Sequence, residues 1–97
     1  MSVRLTQAIA DMIKQAIQAA QEAGVLPKVT LPDIVIERPQ NAEHGDYASS
    51  IALKLARAIK NNPMTIANVI ISFIKPSQEI ENVTVGDSHR IVFYRSR

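Results

Sequence analysis

Residues 44–57 read HGDYASSIALKLAR, and where a helix begins within them decides how the rest of the chain is organised. Ala48, Ile51, Ala52, Leu55, Ala56 and Ile59 recur at three- and four-residue intervals. That spacing places apolar side chains on one helical face. Lys54, Arg57 and Lys60 fall off the stripe and belong elsewhere on the helix surface. A helix is therefore expected from about Tyr47 to Lys60. Gly45 permits a turn that a side chain would obstruct. Asp46 then stands at the N-cap, where its carboxylate can accept from the backbone N–H of Ala48 or Ser49 and complement the positive end of the helix. Tyr47 is expected to pack against a sheet, with its hydroxyl finding a partner.

The same letters admit a chemical reading, because His44 and Asp46 lie two residues apart. A general base needs an orienting partner and a pocket that tunes it. Glu43 and Asp46 are close in sequence, but no nucleophile accompanies them. A metal site needs at least three ligands, and with His44 and His89 the only histidines and no cysteine, no such set is evident. His44, Gly45, Asp46 and Tyr47 are accordingly read as a structural motif that starts a helix. No catalytic residue, no metal ligand and no cofactor is assigned to the chain.

Outward from this stretch, the N-terminal side opens with a helix over 2–23. Its stripe is Leu5, Ile9, Met12, Ile13, Ala16, Ile17 and Ala20, with Ser2 able to cap its start and Gly24 able to close it. VLPKVTLPDIVIERP (25–39) contains three prolines and cannot be helical. Its IVIE segment (34–37) is β-branched and predicts a strand, with a possible extended start near Val29 and an edge position allowed by Pro32 and Pro39. On the C-terminal side, Asn62 and Pro63 form a cap and first turn for a third helix reaching about Ile74. Ile66, Val69, Ile70, Phe73 and Ile74 make its buried face, and Pro76 ends it. The pattern then switches to period two. Residues 80–85 and 90–94 predict strands joined through Gly86, Asp87 and Ser88 as an antiparallel hairpin. The element order is α-β-α-α-β-β, and the fold class is α+β, three helices packed on a small, mostly antiparallel sheet.

With 97 residues, one domain spanning 1–97 is the natural count. Apolar residues at 46% against 21% charged exclude a disordered chain. Absence of cysteine excludes disulfides and thiolate chemistry and fits a reducing compartment. The longest apolar run, IANVIISFI (66–74), is far shorter than the ~20 residues a membrane span needs. No membrane partner is expected, and the default location is cytoplasmic. Charge is uneven. Residues 1–47 hold four basic and six acidic side chains, whereas residues 48–97 hold seven and three. That bias in the second half points to an anionic partner, although solvated surfaces of this kind are common.

The run IERPQNAEHGDYASSIALKLARAIKNNPMTIANVI (36–70) resembles the N-terminal additional domain of arginyl-tRNA synthetases. The family pattern is a strand ending in proline, an [HF]GDY turn, an Ala-rich helix and a P-x-x-I-A helix. Here these match Ile36 to Pro39, His44 to Tyr47, Ala48 to Lys60 and Pro63 to Ala67, and looser likeness extends over about residues 1–85. The resemblance implies a non-catalytic RNA-binding module that leans on the D-loop corner of tRNA. It also implies a catalytic domain in cis, carrying a HIGH-type ATP signature, which would join arginine to tRNA-Arg using ATP. No such signature occurs in these residues. The chain is therefore expected to be a piece ending near a domain boundary, with ATP a cofactor of the full-length enzyme only.

One departure stands out. Family members usually follow the strand matching Val83 to Val85 with GPGFINF-like residues, whose aromatic and amide touch the D-loop. This chain has GDSHRIVF (86–93). Aligned on Phe93, Arg90 replaces the aromatic and Val92 the amide. The candidate RNA contacts are then Lys54, Arg57, Lys60, His89, Arg90 and Arg95, with Arg97 beside them. Ammonium and guanidinium groups suit phosphate, and Arg90 or His89 could stack on a splayed base. The competing reading is a structural or protein-interaction module of the same fold without RNA affinity. Convergence of these cations on one face separates the two.

Overall fold

The computed structural model describes residues 2–40, 45–75, 77–86 and 89–96, with side chains from Leu5 onward. Its elements are α1 (Ser2–Glu22), β1 (Tyr47–Ser49), α2 (Ile51–Ile59), α3 (Pro63–Phe73), β2 (Ile80–Val85) and β3 (Ile91–Arg95). The three strands form one antiparallel sheet in the order β1-β3-β2. The expected α-β-α-α-β-β order and α+β class are present, but the first strand is a different stretch of chain.

That strand is Tyr47–Ser49, within the residues expected to open the second helix. Tyr47, Ala48 and Ser49 pair with Phe93, Val92 and Ile91 and are all buried. Helix α2 starts only at Ile51, with Ser50 as its N-cap making no side-chain cap bond. Instead the buried Ser49 hydroxyl accepts from the Ile51 N–H at 3.3 Å. Asp46 is thus not a helix cap. Its N–H donates to the Phe93 carbonyl at 2.9 Å, and its Oδ2 accepts from the Arg95 N–H at 2.9 Å. The residue ties both its backbone and its side chain to β3.

The 34–37 segment is also corrected. It is extended, with Ile34 and Ile36 turned toward the core and Val35 exposed, but it joins the sheet only through one antiparallel bridge between Glu37 and Ala48. Prolines at 32 and 39 lack the N–H a longer ladder requires. Gln21 anchors the start of this connection by donating to the carbonyls of Pro27 (3.2 Å) and Val29 (3.5 Å).

The other helix boundaries follow their local chemistry. Gly24, at φ +78°, closes α1: its N–H donates to the Gln21 carbonyl and that of Val25 to Ala20, a Schellman pair. The expected Ser2 cap falls on a side chain outside the described ones. Helix α2 ends on Lys60 in the left-handed region, φ +55°, a conformation unusual for a residue with a β-carbon. Asn62 caps α3 by accepting from the N–H groups of Met64 (2.8 Å) and Thr65 (3.4 Å), with Pro63 in the first turn.

The helices cover one face of the sheet. Ile9, Ile13 and Ile17 of α1, Ile51 and Leu55 of α2, and Ile66 and Ile70 of α3 meet Tyr47, Ile91 and Phe93 in one buried cluster. Each such side chain contributes about 1.5–3 kcal/mol of burial, so these ten positions dominate the cohesion of the molecule. Leu5, Met12, Ile34, Ile36, Ile59, Val69, Phe73 and Ile74 pack around its margin.

Candidate nucleic-acid interface

The sheet's other face carries the departure noted at GDSHRIVF. Register sets Glu37, Ala48, Val92 and Thr84 side by side across the sheet. Paired residues share a face, so this row points away from the helices, while Tyr47, Phe93 and Val83 point into them. By alternation Arg90, Val92 and Tyr94 of the β3 stretch lie on the helix-free side. Val92, at 6% exposure, is held between two glycines. A β-carbon on Gly45 (φ +92°) would overlap Val92 Cγ1, and one on Gly86 would come within 2.7 Å of Val92 Cγ2. Gly45 and Gly86 therefore both close over the Val92 side chain.

Arg90 Nε–H donates to Glu37 Oε1 at 2.8 Å. Both side chains remain about two-fifths exposed, at 40% and 42%. A pair this wet contributes only about 0–1 kcal/mol to folding, so its interest lies in what it does to the surface. The backbone of Arg90 is fixed by the Gly86 N–H, which donates to its carbonyl at 2.8 Å. His89 precedes it with φ +58° and is partly buried. From the α2 side, Lys54 Nζ donates to the Asp33 carbonyl at 3.5 Å. Lys54 and Arg90 thus grip the two ends of the same 33–37 segment.

The remaining candidates are distributed around this centre. Arg57 is exposed on the side of α2 opposite its buried residues, and Lys60 is exposed at the C-cap of the helix. Arg95 is exposed at the far end of β3, about 16 Å from Arg90 at strand rise. His44 and Arg97 lie outside the described residues, as do Asp87 and Ser88 of the hairpin turn. The structure brings Arg90, His89 and, through the 33–37 segment, Lys54 into one neighbourhood, while Arg57 and Lys60 are exposed on the helix layer without a contact to it among the described residues. It sets Arg95 apart. Two participants have no local signal in the sequence. Glu37 meets a cation far along the chain, and Arg38 lies over the Tyr47 ring, its guanidinium carbon 5.5 Å from the centroid. Among the described residues there is no grouping of three metal-binding side chains, and no helix is long and apolar enough to cross a membrane.

Comparison with known proteins bears on the fold and the family. The arginine–tRNA ligase of Dehalococcoides mccartyi strain CBDB1 is 36% identical over 89 residues, which is 92% of this chain and 16% of the relative. That of Bacillus licheniformis is 33% identical over 94 residues, 95% of this chain and 17% of the relative. The chain therefore spans about a sixth of the length of these curated relatives. The fold is shared with the arginyl-tRNA synthetase of Plasmodium falciparum, at TM-score 0.75 and 20% identity over 95% of this chain and 16% of that one. It is shared equally with the Thermus thermophilus arginyl-tRNA synthetase, at TM-score 0.73 and 21% identity over 95% and 14%. The sequence model of the family described as the arginyl tRNA synthetase N terminal domain matches residues 7–87, from within α1 to just beyond β2, and the chain belongs to that family.

Proposed function

We propose that this chain is the tRNA-contacting domain of an arginine–tRNA ligase, meeting the D-loop corner of tRNA-Arg with the helix-free sheet face and the exposed side of α2. The observation that carries this reading is the family match over residues 7–87. Lys54, Arg57 and Lys60 supply phosphate contacts, because flexible ammonium groups and a guanidinium fork suit phosphate oxygens and read no sequence directly. ATP-dependent joining of arginine to tRNA belongs, on this reading, to the catalytic domain in cis, and the setting is cytoplasmic. The domain itself holds no ATP.

Labelled tRNA-Arg and a second tRNA, titrated with the protein over a range of salt, test this. Log K is expected to fall by about 0.7–0.9 per phosphate neutralised for each unit of log salt. Lys54→Ala, Arg57→Ala and Lys60→Ala are each expected to weaken both RNAs by similar factors. No binding at low salt would favour the alternative, a structural or protein-interaction module of the same fold.

A further inference from the structure

The two edges of the sheet end differently. On the β1 side Glu37 pairs with Ala48, and the prolines at 32 and 39 stop further addition. On the β2 side nothing among the described residues pairs with the outer edge. Which groups face outward there follows from the ladder. The Gly86 N–H donates to the Arg90 carbonyl at 2.8 Å, and the same register pairs Thr84 with Val92 and Asn82 with Tyr94. In an antiparallel ladder the residues between hydrogen-bonded pairs turn their N–H and C=O away from the partner strand. Val83 and Val85 are those residues. Val83 shows it directly, since its N–H donates to the Asn82 side chain at 3.0 Å and not to β3. We infer that this edge joins a second copy of the chain: β2 pairs antiparallel with β2 of the copy about a two-fold axis at Thr84, extending two three-stranded sheets into one.

Register, charge and space lead to this. The irregularity between Ile80 and Asn82 takes Glu81 out of the ladder and leaves residues 82–86 as the regular edge. With the axis at Thr84, Val83 of each copy lies opposite Val85 of the other, and both turn their N–H and C=O toward the pairing. Thr84 meets its own counterpart as a close, non-hydrogen-bonded pair on the helix-free face. Such β-branched and threonine pairs are favourable cross-strand neighbours, and the pattern is its own complement, as a two-fold contact requires. Edges that stay single are guarded by lysine, proline or an inward charge. From Asn82 to Gly86 β2 has none of these, so the pairing sets no like charges against each other there. On the helix side, where Val83 and Val85 point, a groove of about 230 Å³ opens beside the edge, with Met12, Ile71, Ile74, Ile80 and Val83 on its apolar side. Val85 of the second copy is placed against that groove. So short a pairing buries less than the roughly 1,200 Å² of standard interfaces, and the dimer is weak, with Kd on the order of 100 µM.

Sedimentation equilibrium of the chain from about 10 µM to about 1 mM tests this. The wild type is expected to pass from monomer to dimer over that range. Thr84→Lys and Thr84→Glu, each first shown to melt as the wild type does, set like charges across the axis and are each expected to remain monomeric. Mixed in equal amounts they are expected to associate at least as tightly as the wild type, with the gain shrinking in high salt. Asn82→Ala, which frees the Val83 N–H in each copy, is expected to tighten the dimer by about tenfold. A chain that stays monomeric to about 1 mM overturns the inference and leaves the edge to a strand of another protein. Association that Thr84→Lys does not weaken, or that the mixture does not restore, lies elsewhere on the surface and overturns it too.

Discussion

Gly45 combines two constraints that are usually met separately. Its φ of +92° lies where L side chains are strained, and Val92 Cγ1 occupies the place of its missing β-carbon. Gly45→Ala is therefore expected to destabilise by about 2–5 kcal/mol, adding roughly 1–2 for the left-handed backbone to 1–3 for overpacking. Urea unfolding measures it, and a midpoint within error of the wild type would show that the turn relaxes freely. The requirement for glycine was legible from HGD as turn chemistry. Its partner was not, because nothing local connects Gly45 to a valine in the last strand.

At the scale of elements, Asp46 joins β1 to β3 where a helix start was expected. Asp46→Ala removes the acceptor of the Arg95 N–H and is expected to destabilise by about 1 kcal/mol. Asp46→Asn, which keeps a side-chain oxygen, is expected to recover most of this. Amide exchange locates the loss: faster exchange at Arg95 with the first turn of α2 unchanged is the expected result, whereas faster exchange at Leu53 and Lys54 would restore a helix-cap role. The misreading has a physical origin. Ala48 continues the α2 stripe backward at helical spacing, and Asp46, Ser49 and Ser50 are all competent caps. Periodicity could not say which one the helix uses, and only the pairing of Tyr47 with Phe93 decides it. The IVIE segment was read for its β-branched composition, and its alternation proved real. The flanking prolines limited it to one bridge. Helices α1 and α3 were legible to within a residue or two because stripe, cap and terminator agreed.

At the scale of the molecule, the basic residues of α2 were readable because they sit off an obvious stripe, and the uneven charge of the two halves drew attention to them. The neutralisation of Arg90 was not readable, because Glu37 lies 53 residues away in sequence. The sheet adds one more property, through its order β1-β3-β2. The middle strand, on which both neighbours depend, is the last to be synthesised. A ribosome making this chain releases all three helices before the strand that seats Tyr47 and Val83 exists. Until residue 95 emerges, the apolar faces of α1, α2 and α3 lack Ile91 and Phe93, the central-strand side chains of their core. Folding should then be late and abrupt, not progressive. A chain stopped at residue 90 is expected to show helical circular dichroism with no cooperative melt, and to acquire the full transition when a separate peptide of residues 89–97 is supplied. A sharp thermal transition in the shortened chain alone would show that the helices form a nascent fold that does not wait for the central strand.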